Sequence, residues 1–482
     1  MSILFKGVIM FLCRDQELSK LSKRYQKKGL ECIIIYGRRR VGKTALINEF
    51  TKGKPTIYFP ALNTNAQGNL TALSKAIHSF HHPGAQNAPV YTSFDDAFSE
   101  ITRIARSSDR VIFVIDELPY LVKADDSIPS RLQHLIDHDW SETNLFLIFC
   151  GSSMSFMEKE ILSEKSPLFG RRTAQFKIEP LSYLDTAKFH PELSEQDNAL
   201  IYGITGGIPH YINKLDVMGS IKDALLENLL DTSSYLFEEP ENLLKQELRE
   251  PAVYNAVITA IANGASRQNE IATKTGLDRN ICSKYLKVLC ELNIIRKIEP
   301  VGDKAQKKTF YRITDHFFRF WYRFVPENMM AISSGMMDRI FDASVGSYLS
   351  DYMGLVFEDI CRQYLLMHPE KLPFPVFEIG EWWGPHPVKK KEIQLDIVAI
   401  SAKTNNSRDG RQFLIGSCKY KNELIGVDEL DLIRDYASII TNENDSCYYY
   451  IFSKSGFTKG LQELVETGEV TLVNISELYS AK

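Results

Sequence analysis

Gly37-Arg38-Arg39-Arg40-Val41-Gly42-Lys43-Thr44-Ala45 is the stretch whose residue types and spacing most directly suit a chemical task. Two glycines bound a short loop, letting backbone N–H groups curl around phosphate oxygens. Lys43 supplies a positive charge for the β/γ-phosphates, and Thr44 supplies a hydroxyl for Mg²⁺. The apolar run Ile33–Ile35 precedes the loop, and a helix-forming sequence follows it with its positive end toward the phosphates. The chemistry is that of a nucleoside triphosphate site, with ATP and Mg²⁺ as cofactors. A second signal lies downstream, where Val111–Ile115 forms a buried-strand run ending in Asp116-Glu117, acids that a bare core strand does not need. Asp116 is read as holding the metal through water, and Glu117 as orienting or activating the attacking water. Successive strand-end side chains diverge, so one reaches the metal and the other the γ-phosphate.

Further polar groups belong to the same chemistry. Leu145–Cys150 reads as another central strand, and Ser152 or Ser153 just beyond it either senses the γ-phosphate or caps a helix. Arg171 and Arg172 offer a planar multidentate donor of the arginine-finger kind, or form a solvated charge pair. Of Arg38, Arg39 and Arg40, only some face phosphate while the others are solvated.

These residues need a scaffold, and the pattern supplies one. From about residue 14 to 175, β-type runs (Cys32–Tyr36, Thr56–Phe59, Val111–Ile115, Leu145–Cys150) alternate with amphipathic segments, which implies a parallel sheet flanked by helices. Residues 181–250 read as a helical lid broken by the segment Thr205–Ile212. Near Pro251 the composition changes: Ala256–Ala262 forms a helix, and Glu270–Ile298 follows with the turn Thr275-Gly276-Leu277 and apolar Ala272, Ile281, Leu286 and Leu289 at helix-turn-helix spacing. Ile294–Ile313 reads as two strands around a basic turn, completing a winged helix. Between Ser266 and Arg312 eleven Lys or Arg face five acids, a local charge of +6 in a chain of net −4. Arg279, Lys284 and Lys287 lie along the recognition helix and Lys304, Lys307 and Lys308 in the wing, disposed for double-stranded DNA. A winged helix also serves as a protein-interaction or structural module. The aromatic stretch Phe317–Phe324 is read as a packing helix, and residues beyond about 330 as a separate α/β domain. The boundaries are 1–180 for the nucleotide core, 181–250 for the lid, 251–328 for the winged helix and 329–482 for the last domain.

At 482 residues, 44% hydrophobic and 24% charged, the composition is that of a globular chain of about three domains. The eight cysteines show no CxxC pair and read as reduced thiols of a cytoplasmic protein. The apolar start is interrupted by Lys6, and no run approaches the roughly 18 residues that span a bilayer, so no membrane association is expected.

Taken with Phe11–Leu18 (FLCRDQEL), Phe113–Leu121 (FVIDELPYL), Cys150–Met157, Pro167–Thr173 and the TGGIPHYI segment, these residues resemble the archaeal-type ATPase family of the AAA+/STAND superclass. In that family a P-loop domain precedes a winged helix and a restriction-endonuclease-like domain of the PD-(D/E)xK kind. The resemblance implies a nucleotide-driven switch, with Gly207-Ile208-Pro209 as the lid motif and Pro209 at the nucleotide. It also leaves open homo-oligomers with arginine fingers acting in cis or in trans. Cys13 stands where such families usually carry Gly. In the C-terminal domain the resemblance implies a nuclease-like site at Glu358, Asp396 and Lys419. Ser417 takes the second acid's place there, a poor ligand for a hard divalent cation, with Glu392 or Glu381 able to take over the role. The expectation is an ATP-hydrolysing switch coupled to a DNA-contacting winged helix and a degenerate nuclease fold. The alternatives are an ATP-regulated Mg²⁺-dependent DNA nuclease and an ATP-binding scaffold acting through a protein partner.

Overall fold

The computed structural model describes the chain except for residues 1, 6, 7, 85, 86, 216, 218, 303–308, 403–409, 481 and 482. Contacts gather it into two compact units, residues 1–181 with 208–213, and residues 182–207 with 214–482.

The first unit opens on a hairpin, β1 (Ser2–Phe5) and β2 (Val8–Phe11). Its body is a parallel sheet of β3 (Glu31–Tyr36), β4 (Thr56–Pro60), β5 (Ile112–Asp116), β6 (Phe146–Gly151) and β7 (Ala174–Lys177), in the order β4-β5-β6-β3-β7. Every residue of β3, β5 and β6 is buried, as helix-covered parallel strands require, which is why these three read as unbroken apolar runs. β7 had no such signature: it is a four-residue edge strand alternating half-buried and exposed. The order inserts β6 between the strand that feeds the glycine loop and the strand that ends in Asp116. The helices covering the sheet start at proper caps: Asn65 accepts from the Gly68 N–H ahead of Ala66–His81, and Ser93 from the Asp96 N–H ahead of Phe94–Ser107. Trp140, fully buried, donates its indole N–H to Thr102 at 2.8 Å.

The second unit begins with the helices Tyr183–Ala187, Glu195–Thr205, Ile221–Asn228 and Tyr235–Glu247. The intervening short helix Pro209–Lys214 has its residues up to Asn213 in the first unit. Three helices follow, Pro251–Ala262, Gln268–Thr275 and Arg279–Glu291, then an antiparallel pair, β8 (Ile295–Ile298) and β9 (Phe310–Ile313). Gly276, at φ 68°, ends the second of these helices in the left-handed conformation that the turn needs. The aromatic helix His316–Phe324 buries Phe317, Phe318, Phe320, Tyr322 and Phe324, a core role. The long helix Leu349–Met367 leads to a mixed sheet of β10 (Val376–Pro385), β11 (Glu392–Ser401), β12 (Gln412–Lys419), β13 (Ser446–Ser453) and β14 (Thr471–Asn474). The first three strands are antiparallel neighbours, and β12-β13-β14 run parallel. No described helix is long and apolar enough to cross a membrane.

Candidate active site

The glycine loop is held by sterics before any ligand is considered. A Cβ on Gly37 would meet the Ile178 carbonyl oxygen at 2.4 Å, and Gly42 starts the helix Lys43–Thr51 at φ 93°. Arg40 is also left-handed, at φ 71°. Lys43 is buried, and its ammonium donates to the Gly37 and Arg38 carbonyls at 2.8 and 2.9 Å. Burial lowers its pKa, against the pull of nearby Cys150, Glu117 and Asp116. Ala45 follows, half-buried, in the first turn of the helix.

Asp116 is the last residue of β5 and gathers hydroxyls. The Thr44 hydroxyl donates to its Oδ2 at 3.0 Å and the Tyr58 phenol to the same oxygen at 2.6 Å. Burial and the Asp116 charge push the Tyr58 pKa well up. Glu117 does not continue the strand, so side-chain alternation along β5 does not explain the pair. Its backbone turns left-handed, φ 55° and ψ 48°, to cap the helix Leu118–Ala124, and its own N–H bonds Asp116 Oδ1 at 3.0 Å. Glu117 Oε2 accepts from both the Ser152 hydroxyl, at 2.9 Å, and the Ser152 N–H, at 3.2 Å. The insertion of β6 beside β5 brings that serine to the acid. Ser153 is the N-cap of a single-turn helix, with no side-chain capping bond.

The arginines divide. Arg39 donates to the Tyr120 hydroxyl at 2.6 Å, and the Arg40 guanidinium lies 6.0 Å from the centre of the Tyr211 ring, in the helix that Pro209 begins. Val41 is buried and its carbonyl accepts from Arg14 at 3.3 Å. Cys13 and Arg14 stand at φ 65° and 69°, in the left-handed region that favours glycine. Arg171 pairs with Asp137 at 2.8 Å; Arg172 bonds the Leu162 carbonyl at 3.3 Å and lies 5.5 Å from the centre of the Phe169 ring. Both arginines of the finger motif therefore have local partners. Tyr58 escaped sequence reading because one tyrosine in a strand carries no distinguishing pattern; Arg14 was read only as part of the stretch Phe11–Leu18, whose sequence does not show that it reaches the Val41 carbonyl.

A second polar cluster sits on the mixed sheet. Asp396 on β11 accepts from the Cys418 N–H of β12 at 2.9 Å. Burial raises the Asp396 pKa. Glu358, buried on the helix Leu349–Met367, is pushed up to about 8 by burial and by the Asp396 and Glu381 charges. Burial alone would lower the Lys419 pKa, but Asp396 and Glu429 more than offset it and hold the pKa above its ordinary value. Neither expected substitute for the second acid stands beside Ser417. Glu381 is neutralised by Arg312, at 2.7 and 3.0 Å, and by Arg362 at 3.2 Å; Glu392 is exposed at the start of β11. The acid that meets Ser417 is Glu429, whose Oε1 accepts from the Ser417 hydroxyl at 2.7 Å and pairs with Lys419 at 3.1 Å. It lies in the first turn of the helix Val427–Ala437, where an acid reads from sequence as ordinary helix-end chemistry. Among the described residues no three His, Cys, Asp or Glu side chains form a group able to hold a metal ion.

On the helix Arg279–Glu291 the cations Arg279, Lys284 and Lys287 are all exposed. The buried stripe is Cys282, Leu286 and Leu289; Ile281, expected among the core residues, is 44% exposed. The reason is periodicity, since 282, 286 and 289 are four and three apart while 281 lies off their line. Lys304, Lys307 and Lys308 lie outside the described residues.

Residues 11–215 match a family described as an ATPase domain predominantly from Archaea, and residues 321–431 match a family described as archaeal and bacterial proteins of unknown function. A protein of Methanocaldococcus jannaschii is 30% identical over 458 residues, covering 92% of this chain and 99% of its own length. Another protein of that organism, described as ATP-binding, is 46% identical over 48 residues, 10% of this chain and 81% of its own. The solved structure of a Walker-type ATPase of Pyrococcus abyssi matches with a TM-score of 0.50 at 20% identity, covering 66% of this chain and 97% of that one, a likeness of fold.

Proposed function

This chain belongs to the family of archaeal-type P-loop ATPases, and from that premise we propose that it is an ATP-hydrolysing switch of the AAA+/STAND kind whose nucleotide state governs a DNA-contacting winged helix. The observation that carries the reading is the convergence of Lys43, Thr44, Asp116, Glu117 and Ser152 around one glycine loop. The donor set fits Mg²⁺ and a triphosphate: a hydroxyl and a carboxylate 3.0 Å apart, all oxygen, beside a buried ammonium and a loop that tolerates no Cβ at Gly37. Bound Mg²⁺ would neutralise charge developing on the phosphates.

The chain's own residues do the rest. Lys43 exchanges the Gly37 and Arg38 carbonyls for β/γ-phosphate oxygens. The loop residues Gly37 to Ala45 direct N–H groups at the phosphates, with Arg38 to Arg40 at their edge. Thr44 and Asp116 would hold the metal, which would supply charge neutralisation at the phosphates. Glu117 accepts a proton from the attacking water, its carboxylate aimed by the two bonds from Ser152. Arg171 takes part only by leaving Asp137, and Arg172 only by leaving the Leu162 carbonyl, as a finger supplied in cis or in trans. Pro209, ahead of Tyr211 and so of the Arg40 contact, links the nucleotide to the lid motif. The exposed Arg279, Lys284 and Lys287, with Lys304, Lys307 and Lys308, support contact with duplex phosphates.

The test is Mg²⁺-dependent ATP hydrolysis by the full chain with and without double-stranded DNA, with Lys43→Ala as control. Stimulation by DNA, absent in Lys43→Ala, is the expected result. Turnover indifferent to DNA would reject the DNA coupling and leave a switch that answers to a protein partner.

Glu429 beside Ser417 and Lys419 favours a second reading, a Mg²⁺-dependent nuclease in which Asp396 and Glu429 hold the metal, Lys419 stabilises charge at the phosphate, and Glu358 supports Asp396. Plasmid cleavage lost in both Asp396→Ala and Glu429→Ala would support it. Absence of cleavage by the unaltered chain under every nucleotide condition would leave the fold a binding or assembly module.

A further inference from the structure

The second unit contains a cavity of about 680 Å³ that neither the glycine loop nor the Glu429 cluster uses. It lies where the end of the helix Pro251–Ala262, strand β9 and the helices His316–Phe324 and Leu349–Met367 meet the start of β11 and the end of β10. Its size suits a small organic ligand. Two features of its lining specify the ligand's chemistry.

The first is aromatic. Phe310 and Trp383 both line the cavity, with ring centres 4.6 Å apart and planes at 55°, and Trp383 is only 8% exposed. They meet at an angle and form an apolar corner able to take an aromatic ring, with the Arg312 guanidinium 5.0 Å from the centre of the Phe310 ring.

The second is a guanidinium with donors to spare. Arg319 lines the same cavity 4.9 Å from the centre of the Tyr352 ring, and its Nε and Nη2 are buried with no hydrogen-bond acceptor among the described residues. Buried donors without acceptors are rare, because the desolvated N–H loses its water and gains nothing in return. No carboxylate among the described residues lies within ion-pair distance of Arg319, whereas its neighbour Arg312 is committed to Glu381. The acids lining this cavity, Asp351 and Glu392, are both exposed. A planar fork of N–H groups matches the oxygens of a phosphate or carboxylate bidentately.

We propose that this cavity binds a nucleoside phosphate, with the phosphate on Arg319 and the base against Phe310 and Trp383. The site is independent of the P-loop, so the chain has a second place at which to sense a nucleotide, in the unit that carries the helix Arg279–Glu291.

The experiment is a fluorescence titration of the full chain carrying Lys43→Ala with an N-methylanthraniloyl derivative of AMP, which lacks the β- and γ-phosphates on which the P-loop relies. Saturable binding is expected, weakened at least tenfold by adding Arg319→Ala and nearly as much by Arg319→Lys, which keeps the charge but loses the fork. AMP should compete, adenosine should compete at least tenfold less well, and inorganic phosphate alone should compete weakly. Melting curves of each variant guard against misfolding, and Trp383→Phe, which keeps an aromatic ring, gives a second arm with a milder loss. No saturable binding, or binding in both Arg319 variants as strong as with Arg319 in place, overturns the proposal. Displacement by a single-stranded oligonucleotide at concentrations where AMP fails would overturn it in favour of a nucleic-acid strand. ATP turnover by the unaltered chain reads the P-loop alone, so failure here and failure there are separable.

Discussion

Glu117 owes its aim to its backbone. Because the chain turns left-handed at φ 55° immediately after β5, the carboxylate meets Ser152 just beyond the end of the neighbouring strand β6. That turn is sparsely populated for a non-glycine residue and persists only where the surroundings hold it. Ser152→Ala should therefore lower kcat about tenfold with little change in KM, since it loosens a base without removing it. Steady-state ATP hydrolysis at two Mg²⁺ concentrations checks this, and an equal fall in nucleotide affinity would contradict a purely positioning role. Glu117→Gln should lower turnover by about 100-fold or more while nucleotide binding persists, read by hydrolysis beside equilibrium binding. Gly37→Ala belongs to a different class: its Cβ would strike the backbone carbonyl of Ile178, so it should cost stability of roughly 3 kcal/mol or more, visible in the melting midpoint before any assay of function.

Elements explain what could be read in advance. The loop Gly37–Thr44 and the run ending in Asp116-Glu117 were legible because each is a dense local pattern on a fully buried strand. β7 and β14 are short, partly exposed strands without such a run, and neither was foreseen. Ser152 against Ser153, and Glu429 against Glu381 or Glu392, turned on which strand or helix lies beside which, a tertiary fact with no local trace. On the helix Arg279–Glu291 the cations Arg279, Lys284 and Lys287 are exposed, and the buried stripe starts at Cys282 where the apolar spacing pointed to Ile281. If that helix enters a DNA groove, Lys284→Ala with Lys287→Ala should weaken binding evenly across sequences and reduce the slope of log affinity against log salt by about 2. Filter binding or anisotropy over a salt series checks it; an unchanged slope would assign these lysines to solvent.

At the scale of the molecule, the second unit carries a buried histidine whose protonation opposes folding. His316 is buried beside Asp359 at 3.3 Å, and the same carboxylate oxygen accepts from Tyr202 and Gln363, each at 2.9 Å. Burial lowers the His316 pKa, outweighing the hydrogen bond to Asp359, with the Arg319 charge adding to the depression. The folded state thus takes up its proton later than the unfolded chain does, so stability present above about pH 6.5 is lost as pH falls through the folded value. Glu358, pushed up to about 8, acts with the opposite sign over the same range, so His316 is read by difference: between pH 6.5 and 5 the melting midpoint of His316→Gln should rise more, or fall less, than that of the unaltered chain, and an identical profile in the variant would shift the effect to other groups.

The six residues 208–213 belong to the first unit although the chain on either side of them belongs to the second. Ile208, Pro209, Tyr211 and Ile212 are all buried, and apolar side chains contribute about 1.5–3 kcal/mol each when buried. Together they approach the whole margin by which a domain stays folded. An expression boundary drawn at Leu181, where the parallel sheet has already ended, would therefore omit a structural part encoded 27 residues further on. A fragment of residues 1–215 should be soluble and bind nucleotide where a fragment of residues 1–181 aggregates, so the gene does not come apart where the parallel sheet ends.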